Sequence, residues 1–245
     1  MNVKKGAKKA EKKGKAKIVV SKGGPLLVSG DVPLSVQRIV LKDGEPYAWE
    51  EDLVFDTPES YTLCRCGASH NKPACDGSHT KIRWDPEERA SREPFIDRAE
   101  ATEGPDLALS DVDDLCSYAR FCHRGEGIWD LTEESDDQEK RKMAIEIAGN
   151  CPSGRLVVWD TKLVKQIEPK FEPSIAVTDD ELVGTTGPLW VRGGIPIISS
   201  DGYQYEVRNR MTLCRCGRSE SKPFCDGSHL DEANEREDRE EKPRS

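Results

Sequence analysis

Two stretches of the 245-residue chain carry the donors of a metal centre: TLCRCGASHNKPACDGSH at residues 62–79 and TLCRCGRSESKPFCDGSH at 212–229. Fourteen of the eighteen positions are identical, so each copy tests the other. His70 becomes Glu220 and drops out as a ligand, whereas His79 and His229 are kept, each four residues beyond a cysteine. The surviving pattern is C-x-C-x8-C-x3-H: Cys64, Cys66, Cys75 and His79, then Cys214, Cys216, Cys225 and His229. A Cys3His zinc site would use this set tetrahedrally, although common zinc sites leave about two to four residues between paired cysteines. A centre with bridging sulfides is the other use. The C-x-C pair closes on a metal only around a tight turn, which Gly67 and Gly217 allow. The Cys-Asp-Gly-Ser-His run reads as a helix start, capped by Asp76 or Ser78 and by Asp226 or Ser228, with free amides facing an anionic centre. Pro73 and Pro223 stiffen the loop that returns the third cysteine.

The nine cysteines form three groups of three, and the third group is Cys116, Cys122 and Cys151. An odd number at short, repeated spacings suits metal ligation better than a disulfide framework. The spacing is CSYARFC, then a distant Cys151-Pro152. Bacterial ferredoxins run C-x2-C-x2-C with a distant Cys-Pro, and this segment keeps the first, third and Cys-Pro positions, with Ala119 where the second cysteine would stand. His123, beside Cys122, is a candidate fourth ligand or a surface group. The plain alternative is three reduced cysteines packed as small hydrophobes.

At these residues the chain resembles two families. Residues 23–85 and 186–232 resemble the CDGSH iron-sulfur domain of the NEET family, through C-x-C, the later proline and CDGSH itself. The resemblance implies a 2Fe-2S cluster in each copy, one iron on the C-x-C pair and the other on the third cysteine and the histidine. Family members with one motif pair around an intertwined β-cap, so two motifs in one chain imply an internal pseudo-dimer. Residues 105–160 resemble the divergent single-cluster ferredoxins; the missing ligand favours a 3Fe-4S cluster, and a non-cysteine fourth ligand would restore a 4Fe-4S one. An imidazole in place of a thiolate should raise the reduction potential and make the bond sensitive to acid, because a protonated imidazole cannot ligate.

The elements that must position these ligands are modest. Only 35% of the residues are hydrophobic and 34% are charged, which points to several small units rather than one large core. The repeat extends upstream: GPLLVSGDVPL at 24–34 matches GPLWVRGGIPI at 187–197. Pro33 to Cys64 spans 31 positions and Pro196 to Cys214 only 18, so the first copy has the longer approach. Asp43-Gly44 and Asp201-Gly202 signal hairpin turns, and both copies read as short strands leading into a ligand loop. Residues 132–149 read as a helix with Met143, Ala144, Ile147 and Ala148 on its buried face. Trp129 and Trp159 read as core aromatics. Residues 1–17 hold eight lysines and one glutamate in a chain of net charge -9.

The expected fold class is α+β: two small β-rich CDGSH modules forming an internal pseudo-dimer, with a ferredoxin-like insert between them. The divisions are a basic disordered tail at 1–22, a first module at 23–98, the ferredoxin-like segment at 99–165, a second module at 166–232 and a charged tail at 233–245. No apolar run long enough to span a membrane and no secretory signal appear, so the expectation is a cytoplasmic protein. The expected function is single-electron transfer through two Cys3His 2Fe-2S clusters and a third, 3Fe-4S or 4Fe-4S, cluster. The rivals are a cluster carrier, a redox or iron sensor and a zinc-binding structural module. No nucleotide fingerprint or activated nucleophile supports an enzyme. The expected partner is a redox protein or an apo-protein acceptor; nucleic acid, through the lysine tail, ranks below both. The chain is expected to be a monomer.

Overall fold

The computed structural model describes residues 14–230, and the first thirteen residues and the C-terminal tail fall outside them. The first repeat supplies β1 (Lys17–Val20), β2 (Leu26–Ser29), β3 (Leu34–Lys42), β4 (Glu45–Phe55) and β5 (Ser60–Leu63). The second supplies, far down the chain, strands at Ser174–Asp180, Thr185–Arg192, Ile197–Ile198 and Arg210–Leu213. Between them lies α1 (Phe95–Arg98) and then the insert, with β6 (Glu100–Glu103), β7 (Leu107–Asp111), α2 (Ile128–Glu133), α3 (Gln138–Asn150), β8 (Leu156–Asp160) and β9 (Lys165–Ile167). The four late strands are therefore β10 to β13.

The two repeats exchange a strand. One sheet runs β12-β1-β2-β5 and another β13-β11-β10-β3-β4, so β12 of the second repeat completes the first sheet and β3 of the first completes the second. The registers match across the repeat. Ile18 on β1 lies beside Ile197 and opposite Val28; Ile175 on β10 lies beside Leu34 and opposite Val191. Even the entry bonds correspond, Ile18 N donating to Pro196 O and Ile175 N to Pro33 O, both at 2.9 Å. The alternating apolar residues of both repeats face one shared core that includes Ile18, Leu26, Leu63, Ile175, Leu189, Ile197 and Leu213. Each such side chain contributes about 1.5–3 kcal/mol on burial, so neither repeat keeps its core without the other. The expected internal pseudo-dimer is this exchange.

Two divisions move. The disordered tail expected at 1–22 is overturned where it is described, because Lys17–Val20 is β1 and its Ile18 and Val20 are fully buried; residues 1–13 of it lie outside the described residues. The insert extends to Ile167, since β9 closes its sheet of order β6-β7-β8-β9. Modules at 23–98 and 166–232 also do not separate along the chain, because β3 and β4 belong to the second sheet.

Asp43-Gly44 makes the expected hairpin, both residues at positive φ as that tight turn requires, and joins β3 to β4. Asp201-Gly202 makes only a small turn, Gly202 N donating to Ser199 O, with one bridge between Ile198 and Gln204 beyond it. The helix expected over 132–149 is two helices. Asp137 accepts from Glu139 N and Lys140 N and so starts α3 afresh, with Ala144, Ile147 and Ala148 buried and Met143 partly buried. Trp129 and Trp159 are half-buried against the insert's two apolar clusters, Trp159 donating to Ser110 Oγ at 3.0 Å.

The longer first repeat has a purpose in the packing. Its β4 carries Trp49, whose Nε1 donates to Asn150 O at 2.9 Å and whose ring lies 5.3 Å from Phe121. The additional hairpin is thus the seat on which the insert rests. Among the described residues no helix is long and apolar enough to cross a membrane.

Candidate metal centres

Each ligand loop leaves the last strand of its repeat and returns to it. Cys64 N donates to Pro73 O at 2.9 Å and Cys75 N to Thr62 O at 3.1 Å; in the second copy the same bonds run from Cys214 N to Pro223 O at 2.8 Å and from Cys225 N to Thr212 O at 2.9 Å. Ser69 Oγ and Ser219 Oγ each close the loop on a carbonyl at 2.7 Å. Asp76 accepts from Ser78 N at 2.9 Å and His70 N at 2.8 Å, and Asp226 from Ser228 N and Glu220 N at 3.0 and 2.7 Å. Position 70 or 220 thus contributes its backbone amide, which is why its side chain is free to change; the His70 side chain is 91% exposed. The helix expected at CDGSH is, in the first copy, a single 3-10 turn, Ser78–Thr80, with the aspartate bracing the loop rather than capping.

The donors meet in twos. Cys64 Sγ and Cys66 Sγ are 3.6 Å apart and Cys75 Sγ and His79 Nδ1 3.5 Å; the second copy has 3.8 Å between Cys214 and Cys216 and 3.5 Å between Cys225 and His229. Two thiolates at about 2.3 Å from one tetrahedral metal lie about 3.7 Å apart, and a thiolate and an imidazole nitrogen about 3.5 Å. Each pair therefore fits the edge of one metal site, and each loop offers two such edges. Among the described residues no three His, Cys, Asp or Glu side chains gather around a single ion. A binuclear centre fits this arrangement.

Without a metal, burial favours the neutral thiols of Cys66, Cys214 and Cys225, whereas Cys216 is held toward thiolate. The Cys214 thiol, hydrogen-bonded to Cys216 and buried, is held above its ordinary range, while Cys216, which receives that bond, is held down at about 7. Burial pushes Cys66 up. Between the two cysteines of each pair stands an arginine, Arg65 or Arg215. Arg65 is buried and donates to Gly24 O, Pro86 O and Ser21 O at 2.6, 3.0 and 3.0 Å. Arg215 Nε is buried without an acceptor and feels Cys64 of the other loop as well as Cys216. A donor so placed would meet an anionic cluster. The two loops also touch: a Cβ on Gly67 would lie 2.2 Å from Cys216 O, and one on Gly217 2.6 Å from Cys66 O. Gly67 and Gly217 are thus fixed both by positive φ and by this approach.

Cys116, Cys122 and Cys151 line one cavity together with Ala119. The loop from 116 to 122 bends around it with Tyr118 and Arg120 in the left-handed region, at φ 57° and 62°. Burial pushes Cys122 up to about 12, with Cys151 and Cys116 adding to it, and burial also raises Cys116 against the pull of the Tyr118 amide and Arg155. Arg155 is tied by Asp111 at 2.5 Å. His123 is exposed, its ring 6.0 Å from that of Trp129. Three separate thiols around a cavity suit a cluster that gives each its own iron.

The eleven residues read as ligands are thus brought together as four donor pairs and one trio around a cavity. Arg65 and Arg215 were missed, although their identity in both copies was a readable signal. Arg210 was missed too. It replaces Ser60 of the first copy and crosses into the insert, donating to Ala148 O, Cys151 O at 2.6 Å, Leu156 O at 3.1 Å and Glu168 Oε1 at 2.6 Å.

Comparison with known families agrees with this division. The profile for iron-binding zinc finger CDGSH type matches residues 23–80 and 186–230, and that for divergent 4Fe-4S mono-cluster proteins matches 102–161. No curated protein and no solved structure matches the chain. With donors paired at tetrahedral edges in both loops and three thiols around a cavity between them, the chain is an iron-sulfur protein, two CDGSH domains with a divergent mono-cluster ferredoxin region inserted between them.

Proposed function

We propose that the chain transfers single electrons through a 2Fe-2S cluster in each CDGSH loop and a third cluster on the central trio, working with a redox partner protein in the cytoplasm and without an enzymatic activity of its own. The observation that carries this reading is the two-by-two pairing of Cys64 with Cys66 and Cys75 with His79, repeated at 214–229. When bound, such clusters accept or release one electron at a time. The polypeptide then does the rest. Arg65 and Arg215 bring positive charge to the cysteine pairs, and the amides at Asp76 and Asp226 hold the loops in one shape. A rigid ligand shell would limit the rearrangement that accompanies a change of oxidation state.

On the central trio, Cys116, Cys122 and Cys151 would hold the cluster; with Ala119 where the second cysteine would stand, we favour three irons. Iron and acid-labile sulfide per chain test this. Two paired-iron clusters predict about four irons, a three-iron centre raises the count to about seven and a four-iron centre to about eight. EPR signals that change reversibly on reduction and reoxidation with the iron retained support electron transfer; zinc without sulfide would overturn it.

One observation favours cluster delivery as a second reading: Cys75 and His79 of the first loop are only partly buried. Transfer of iron and sulfide from that loop to an apo-ferredoxin, faster than its reoxidation, would support it.

A further inference from the structure

The two CDGSH loops are alike in ligands and unlike in surroundings. His79 and Cys75 are half-buried at the edge of the molecule, whereas His229 is 6% and Cys225 2% exposed. Part of the cover over the second loop comes from the insert, the rest from the strands β3, β4, β10 and β11. A Cβ built on Gly227 would lie 2.2 Å from Tyr118 Cδ2, while one on Gly77, the equivalent residue, would meet nothing within 4 Å. Ser117, Tyr118, Ala119 and Pro152 line one cavity with His229 and Leu230. Among the described residues, the segment that bends around the central cysteines thus rests on the CDGSH turn of the second loop, while the equivalent Gly77 has nothing against it.

A second, independent feature joins them. Arg210 lies on β13, four residues before Cys214, with its side chain 1% exposed. It holds the carbonyls of Ala148, Cys151 and Leu156, which bracket the distal cysteine of the trio, and its charge is met by Glu168. A buried guanidinium is costly unless every donor is used, and here the acceptors are supplied by the insert. The first repeat has Ser60 at this position, a side chain too short to reach across as Arg210 does.

We propose that the second CDGSH loop and the central trio form one coupled electron-transfer unit, joined at Tyr118 and positioned by Arg210, while the first loop is the terminus that meets an outside partner. This rests on the electron-transfer reading. With clusters bound, each internal step would move one electron from one centre, oxidising it, to its neighbour, reducing it, and an external one-electron redox protein would exchange electrons at the first loop. No proton or co-substrate enters the balance. Arg210 is a positioning residue, acting through Cys151.

The test uses EPR power saturation on the full, cluster-loaded chain reduced with dithionite. His79→Cys and His229→Cys identify the two CDGSH signals, since each alters one ligand set. The expected result is that the signal moved by His229→Cys saturates at several-fold higher power than the other, because the central centre is a further paramagnet beside it, beyond the CDGSH neighbour that each loop already has. Arg210→Ser, which restores the residue of the first copy, should remove that difference while both CDGSH signals persist, and Arg210→Lys should restore part of it. Equal saturation of the two signals, a faster-relaxing first loop, no effect of Arg210→Ser, or no paramagnetic central centre would each overturn the proposal. Failure of the electron-transfer reading shows differently: the relaxation pattern would stand, but the reduced signals would not return reversibly to the oxidised state.

Discussion

The first and second CDGSH loops share fourteen of eighteen residues and nearly identical hydrogen bonds, yet one lies at an edge and the other lies under the insert. The lesson is that a duplicated ligand set fixes the local chemistry of each centre but not its access. Access is decided by residues outside the motif: the β3-β4 hairpin that seats the insert, Tyr118 over Gly227, and Arg210 in place of Ser60. A homodimer must present two equal sites. A fused one is free to make them unequal.

The strongest way to sharpen this contrast is to remove one centre at a time. Cys75→Ser and Cys225→Ser should each lower the iron content by about two per chain. Only Cys225→Ser should alter the EPR spectrum of the central centre; equal effects would break the contrast. Next in size is the symmetric contact. Gly67→Ala and Gly217→Ala each force a left-handed alanine against a carbonyl of the other loop, and each should cost about 3 kcal/mol or more in denaturant titrations, from strain plus the clash. Gly44→Ala, at positive φ but in open space, should cost about 1 kcal/mol.

A smaller effect should separate Gly227→Ala from Gly77→Ala. Both carry the same backbone strain, but only the former displaces Tyr118, so only it should shift the central spectrum. Acid should read the same difference kinetically. It should reach the half-buried first loop before the buried second one, so bleaching at mildly acid pH is expected in two phases with the first-loop EPR signal lost first. A single phase would count against unequal access. The smallest effect lies at the start of α3. The amides of Lys140 and Glu139 hold the Asp137 carboxylate below its ordinary range, so its support is full above about pH 4 and fades as pH falls through the lowered value. Asp137→Ala should lower the thermal midpoint by a few degrees at neutral pH and by less in acid.

Much of the site could be read beforehand, because ligation demands particular atoms at particular spacings and the chain states the spacing twice. The buried stripe of α3 and the Asp43-Gly44 turn were readable from local rules for the same reason. What escaped depends on partners distant in sequence. KIVV at 17–20 was hidden by the lysines before it, and becomes a strand only because Ile197 and Val28 flank Ile18. The break between α2 and α3 turns on one cap, Asp137, in a run of acidic residues that all look alike. Arg210 was visible as a departure from Ser60, but nothing in the sequence says that its acceptors lie on the insert.

The exchanged strands have a consequence for the integrity of the molecule. Since β12 completes the sheet of β1 and β3 completes that of β10, the halves are interlocked by hydrogen bonds and a common interior rather than by peptide continuity. Cleavage at the protruding Leu163 and Val164, 72% and 83% exposed, should therefore give two polypeptides that migrate together until denatured. A protease could nick this protein without releasing its iron.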